Sequence, residues 1–139
     1  MDLGLRSSRA LVGGGSGGLG GAVAEVLGAE GAQVALVARA SARLDAAAAR
    51  LGALAVPADL STADGPAEAV AAAVAAFGGL DLLVVNSGGP PPGRFEDLDE
   101  AAWTTAIDGT LWSAIRLLSG AEGVAGNARA MLSFVASNP

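Results

Sequence analysis

The chain has 139 residues, 52% of them hydrophobic and only 4% aromatic, with a formal net charge of −6. That length suits a single packed domain, and the acidic balance leaves no electrostatic footprint for nucleic acid or an anionic membrane surface. With no cysteine and no histidine, disulfides and thiol chemistry are excluded, and no metal site is expected, because transition-metal sites draw on those side chains.

Met1 to Arg9 carries charges but no apolar run, so it does not read as a signal peptide. No segment reaches the length of a membrane span, the Ala-rich stretch Ala67–Phe77 being too short; a cytoplasmic protein without membrane contact is expected. Strands are predicted at Ala10–Gly13, Gln33–Ala38, Ala53–Val56, Asp81–Val85 and Ala130–Val135. These are nearly continuous apolar runs, the pattern of parallel strands covered on both faces.

Helical patterns fill the gaps. The first lines up Leu19, Val23, Val26 and Leu27 on one face, and the second runs from Ser41, a good N-cap residue, to Leu51. A third places Val70, Val74 and Phe77 on one stripe. After a Pro-rich loop, Gly88–Gly93, a long helix aligns Trp103, Ile107, Leu111, Ile115 and Leu118. Trp103 and Trp112, both in this last region, are expected to pack into the core. Repeated strand–helix alternation predicts an α/β fold with a doubly wound, Rossmann-type parallel sheet. It would have about five strands, helices on both faces and an incomplete C-terminal side.

The first strand runs into Gly13-Gly14-Gly15-Ser16-Gly17-Gly18-Leu19-Gly20 and then directly into a helix. A glycine run alone matches many turns. Between a strand and a helix, with a second strand about 20 residues on, it reads as a phosphate-binding turn. The chemistry needs a chain without side chains in the way, so that backbone N–H groups can approach a pyrophosphate at the positive end of a helix.

The end of the second strand reads the ribose 2′ position. A carboxylate there suits the 2′-hydroxyl of NAD, whereas this strand ends Val37-Ala38-Arg39-Ala40-Ser41 with no acid in reach. Arg39 offers a charged fork of donors that suits a 2′-phosphate, which favours NADP over NAD. Arg43, one turn on, is open between a supporting contact and an ordinary solvated residue.

In these residues the chain resembles the short-chain dehydrogenase/reductase family, over Arg9 to Ser137. The family's glycine motif matches Gly14, Gly18 and Gly20, with Ser16 and Leu19 inside it and Gly13 where a threonine is usual. The resemblance implies that Asp59, in Asp59-Leu60, contacts adenine. Asn86-Ser87-Gly88 stands for the family's Asn-Asn-Ala-Gly motif with its first asparagine missing. The run from Asn86 to Pro91 looks like a subgroup related to 3-oxoacyl-carrier-protein reductases.

The family reaction implied is hydride transfer between a nicotinamide and a carbonyl or alcohol carbon. In it a tyrosine moves the proton and a lysine lowers the tyrosine's pKa, while a serine orients the substrate and an asparagine anchors a relay water. Ser137 matches the serine, with an ordinary strand-end serine as the open alternative, and the asparagine position falls on Thr110. The chain has no tyrosine, and all eight of its cations are arginine, so it has no lysine either. It therefore resembles the N-terminal part of the family, truncated before the Tyr-x-x-x-Lys motif.

The expectation is an NADP(H)-binding portion, over 1–139, without catalysis of its own. A positioned acid or base contributes about 10²–10⁴-fold to rate. Two other readings stay open: a non-catalytic nucleotide-binding regulator or half of a split enzyme, and a structural protein pairing through an open edge strand. A homo-oligomer, or a complementing C-terminal chain, stays open with them. The carbonyl or alcohol substrate is not legible.

Overall fold

The computed structural model describes residues 2–125 and 131–134. Five strands alternate with helices: β1 (Arg9–Gly13), α1 (Gly18–Ala29), β2 (Gln33–Ala38), α2 (Ala42–Leu51), β3 (Leu54–Pro57), α3 (Gly65–Phe77) and β4 (Leu82–Asn86). A short 3₁₀ turn (Phe95–Asp97), α4 (Glu100–Ile107), a π-helical segment (Asp108–Trp112), α5 (Ser113–Ala125) and β5 (Met131–Phe134) follow.

The sheet is wholly parallel in the order β3-β2-β1-β4-β5. Its strands are apolar on both faces because both faces are covered. Ala10, Val12, Val34, Leu36 and Val84 pack with Ala24 and Leu27 of α1 and with Leu44, Ala47 and Ala48 of α2. Leu11, Ala35, Val37, Leu83 and Val85 face the other way, onto Ala69, Val70 and Ala73 of α3 and Leu117 and Ala121 of α5. This is the doubly wound arrangement that the alternation predicts. β2 has the predicted bounds, and β1, β3 and β4 are each displaced or extended by one residue. The described part of β5 lies inside the predicted strand, whose ends fall outside the described residues.

The helix faces are where the structure departs from the sequence reading. In α1, Leu19 and Val26 are exposed, and the buried face is Gly20, Gly21, Ala24 and Leu27. Small residues take that face because the helix approaches the strands closely.

The predicted long helix is α4 and α5 joined through the π-helical segment, and its apolar stripe faces outward. Trp103, Ile107, Leu111 and Ile115 are all exposed, and of the predicted stripe only Leu118 packs against the core. Trp103 and Trp112 are 43% and 44% exposed, so neither tryptophan is a core residue. The core-facing residues of α5 are Ser113, Leu117 and Ala121. Across the same interface Gly120 faces Ala67 and Val70 of α3. The third helical stripe stands as predicted, with Val70 buried and Val74 and Phe77 packed against the same core.

Candidate functional site

A doubly wound sheet opens a crevice at the carboxyl ends of its strands, where the chain order reverses. In this sheet the reversal lies between β1 and β4, which pair directly although two strands and three helices separate them in sequence. The glycine turn leaves β1 at that point. Asn86, the last residue of β4, is 8% exposed, and its Nδ2 donates to the Gly13 carbonyl at 3.1 Å. The two strand ends are thus stitched together beneath the turn.

Turn geometry explains the glycines. Gly14 has φ +61° with the Asn86 amide directly behind it, so a side chain there would be strained and would collide. At Gly20, in the first turn of α1, a Cβ would run into the Gly13 and Gly14 carbonyls. At Gly13, where the family has a threonine, the Asn86 backbone occupies the space a Cβ would take. Gly15 ties the turn to the second strand through its N–H, which donates to Val37 O at 3.1 Å.

The helix that follows starts with bare donors. Its N-cap is Gly17, no side chain caps it, and its first turn holds no acid. The first N–H groups of a helix lack intrahelical partners and carry the positive end of the macrodipole. An anion is the partner they fit. Asn86 Oδ1 beside them, buried with no hydrogen-bond partner among the described residues, is an acceptor and takes no part in holding an anion. The residues present therefore fit a dinucleotide phosphate, with Gly14, Ser16, Gly18, Leu19 and Gly20 on the turn that would hold it.

Around this turn the structure sets the other predicted residues at different distances from chemistry. Arg39 is exposed just after β2. Asp59, in the loop after β3, accepts from the Ser61 hydroxyl at 2.7 Å and from the Ser61 N–H at 2.9 Å. Those two bonds, with a smaller contribution from the Arg39 charge, hold its carboxyl below the usual carboxylate range. Leu60 is buried in the α3-side core, so only its backbone can face a ligand.

Gly88 is exposed, while the Ser87 hydroxyl turns away into the helix layer and donates to Gly109 O at 2.6 Å. Thr110 Oγ1 donates to Ala106 O at 2.6 Å, which commits its proton to the helix backbone. Ser137 lies outside the described residues.

Ser113 escapes the sequence reading, and Arg43 is left open by it. Ser113 is fully buried, with its Oγ 3.0 Å from the carbonyls of Gly109 and Thr110 and 3.3 Å from Ser87 Oγ. It joins the end of β4 to the π-helical segment that carries Thr110. Nothing in its sequence surroundings marks it, since a serine at mid-helix is usually solvated. Arg43 reaches across from α2 to the glycine turn, its Nε donating to Ser16 O at 3.1 Å. Among the described residues, no group of three His, Asp or Glu side chains is placed to hold a metal, and no helix is long and apolar enough to cross a membrane.

A family profile described as short chain dehydrogenase matches residues 8–125. The chain belongs to the short chain dehydrogenase family. Nodulation protein G of a Rhizobium species is 38% identical over 115 residues, covering 81% of this chain and 47% of that one.

Among solved structures, a short chain dehydrogenase from Burkholderia cenocepacia in complex with NADP superposes with a TM-score of 0.87. It is 34% identical, over 93% of this chain and 55% of that one. The L-sorbose reductase of Gluconobacter frateurii, complexed with NADPH and L-sorbose, superposes with a TM-score of 0.83. It is 33% identical, over 88% of this chain and 49% of that one. The chain thus spans about half the length of the dehydrogenases and reductases it matches.

Proposed function

We propose that these residues form the NADP(H)-binding portion of a short-chain dehydrogenase/reductase that transfers hydride between the nicotinamide and a carbonyl or alcohol carbon. The observation that carries this is the uncapped N-terminus of α1, which opens from a side-chain-free turn at the β1/β4 reversal. The preference for the 2′-phosphate form rests on Arg39 and on the absence of an acid between Val37 and Ser41. The NADP and NADPH complexes of similar proteins support it.

When bound, the nicotinamide supplies or accepts the hydride. The chain's own residues do the binding and positioning. The α1 N–H groups would meet the pyrophosphate, Arg39 the 2′ position, and Asp59 with the Leu60 backbone the adenine. Asn86, Ser87 and Gly88 form the wall between the nucleotide and the helix layer.

Thr110 and Ser137 stand at the family's relay and substrate-orienting positions. Thr110 gives its proton to Ala106 O, which leaves its oxygen as an acceptor only. The 139 residues hold no tyrosine and no lysine, so on this reading the proton-transfer group lies outside them. No turnover is expected from these residues alone.

Calorimetric titration of the chain with NADPH, and with NADH for comparison, tests the reading. Saturable binding that favours NADPH is expected, and Gly20→Val should abolish it by closing the turn. A folded chain that gives no heat with either nucleotide contradicts the reading.

A further inference from the structure

Arg43 breaks a local rule. It sits in the first turn of α2, which is capped by Ser41 Oγ accepting from Leu44 N at 3.2 Å. That is the positive end of the helix, where a cation opposes the macrodipole. Such a breach marks a functional position when no local contact offsets it.

Here the side chain, though exposed, pairs with no carboxylate among the described residues and lies back over the glycine turn. The ion pairs among the described residues are Arg9–Asp81, Arg50–Glu25 and Arg94–Glu96. Instead Arg43 Nε donates to Ser16 O at 3.1 Å, and the guanidinium lies over Gly17 so closely that a Cβ there would collide with it. Gly17 is extended, with φ 168°, so its backbone does not require glycine, but a side chain there would displace the arginine resting on it.

Arg39 is exposed just after β2 and makes no side-chain hydrogen bond to the turn among the described residues, so of the two arginines that flank the turn Arg43 is the one held in place. Only its Nε is engaged among the described residues, which leaves its terminal N–H groups available as a fork for a planar or tetrahedral anion.

Resting on the nucleotide reading above, we propose that Arg43, held against the glycine turn by Ser16 O, is the principal reader of the 2′-phosphate, with Arg39 secondary. The Ser16 carbonyl sets the guanidinium in place before the ligand arrives. The nucleotide therefore meets a pre-positioned cation at the junction of the turn and the β2–α2 connection.

The test is calorimetric titration of the full chain and of Arg43→Ala, Arg43→Gln and Arg39→Ala with NADPH, NADH and adenosine 2′,5′-bisphosphate. Circular dichroism checks that each variant is folded. Loss of a charge-assisted contact predicts that both Arg43 variants bind NADPH and the bisphosphate about tenfold or more weakly, with NADH affinity held within about twofold. Arg39→Ala should lose less.

Three results would overturn the assignment while leaving the nucleotide reading intact. One is an unchanged NADPH-to-NADH ratio in the Arg43 variants. Another is an equal or larger loss in Arg39→Ala. The last is an equal loss for both nucleotides, which would make Arg43 a brace for the turn. A wild-type chain that binds neither nucleotide, or prefers NADH, overturns the NADP(H) reading and this inference together.

Discussion

Arg9 and Asp81 close the end of the sheet remote from the glycine turn. Arg9 Nε and Nη2 donate to the two Asp81 carboxylate oxygens at 2.7 and 2.8 Å, and the backbone N–H of each residue is also bonded across the pair. The Arg9 side-chain bonds, with the Arg9 backbone N–H next, pull the Asp81 pKa down from 3.8 to about 2. A carboxylate with a lowered folded-state pKa contributes stability that is fully present above its unfolded value. That contribution is lost as the pH falls through the folded one.

The midpoint of thermal unfolding should therefore drop as the pH is lowered from about 4 toward 2, and Asp81→Asn should flatten that dependence. Asp59 shifts in the same direction and keeps part of the slope. A variant with an unchanged pH profile would show that the pair does not contribute. The same scale explains what sequence could and could not show. Arg39 is legible because strand β2 ends next to it. The destination of Arg43 is not, because its side chain crosses to a turn 27 residues away in sequence.

At the scale of elements, apolar runs located the strands well, since a strand buried on both faces has no second pattern to confuse with it. Helix faces were harder. Amphipathic reasoning assigns the most apolar stripe to the core, yet α1 buries glycine and alanine and α4–α5 turn Trp103, Ile107, Leu111 and Ile115 outward. In α1 the close approach of Gly20 to the glycine turn selects the small face, while α5 sets Ser113, Leu117 and Ala121 toward the core. The π-helical segment had no period to announce it, and its anchor, Ser113, is a polar residue on a buried face. Such segments tend to occur at functional sites, and this one carries Thr110. Ser113→Ala should lower stability by about 1–2 kcal/mol, read as a shift in the denaturant midpoint. An unchanged or raised midpoint would mean that the hydroxyl only competes with the helix ladder, as mid-helix serines can.

Across the whole molecule, the two ends of the parallel sheet have different tasks. The amino ends hold the Arg9–Asp81 pair; the carboxyl ends bring together a bare helix N-terminus and two arginines, in a chain whose net charge is −6. The β3 edge is guarded by its own sequence. Ala58 N–H donates inward to Ala38 O, so by alternation residue 57 faces outward, and Pro57 has no N–H to offer an added strand. A groove of about 550 Å³ beside that edge, between β3 and α3, is lined largely by alanine with Glu68 and carries no anion-binding donors comparable to those of the turn.

On the proposed reading the anion of a dinucleotide sits on the first turn of α1. Backbone hydrogen exchange with and without saturating NADPH tests it most directly. Slowed exchange is expected at the N–H groups of residues 14–21, with the β3–α3 groove unaffected. Protection confined to that groove, or NADPH binding that leaves the glycine turn exchanging as before, would contradict it.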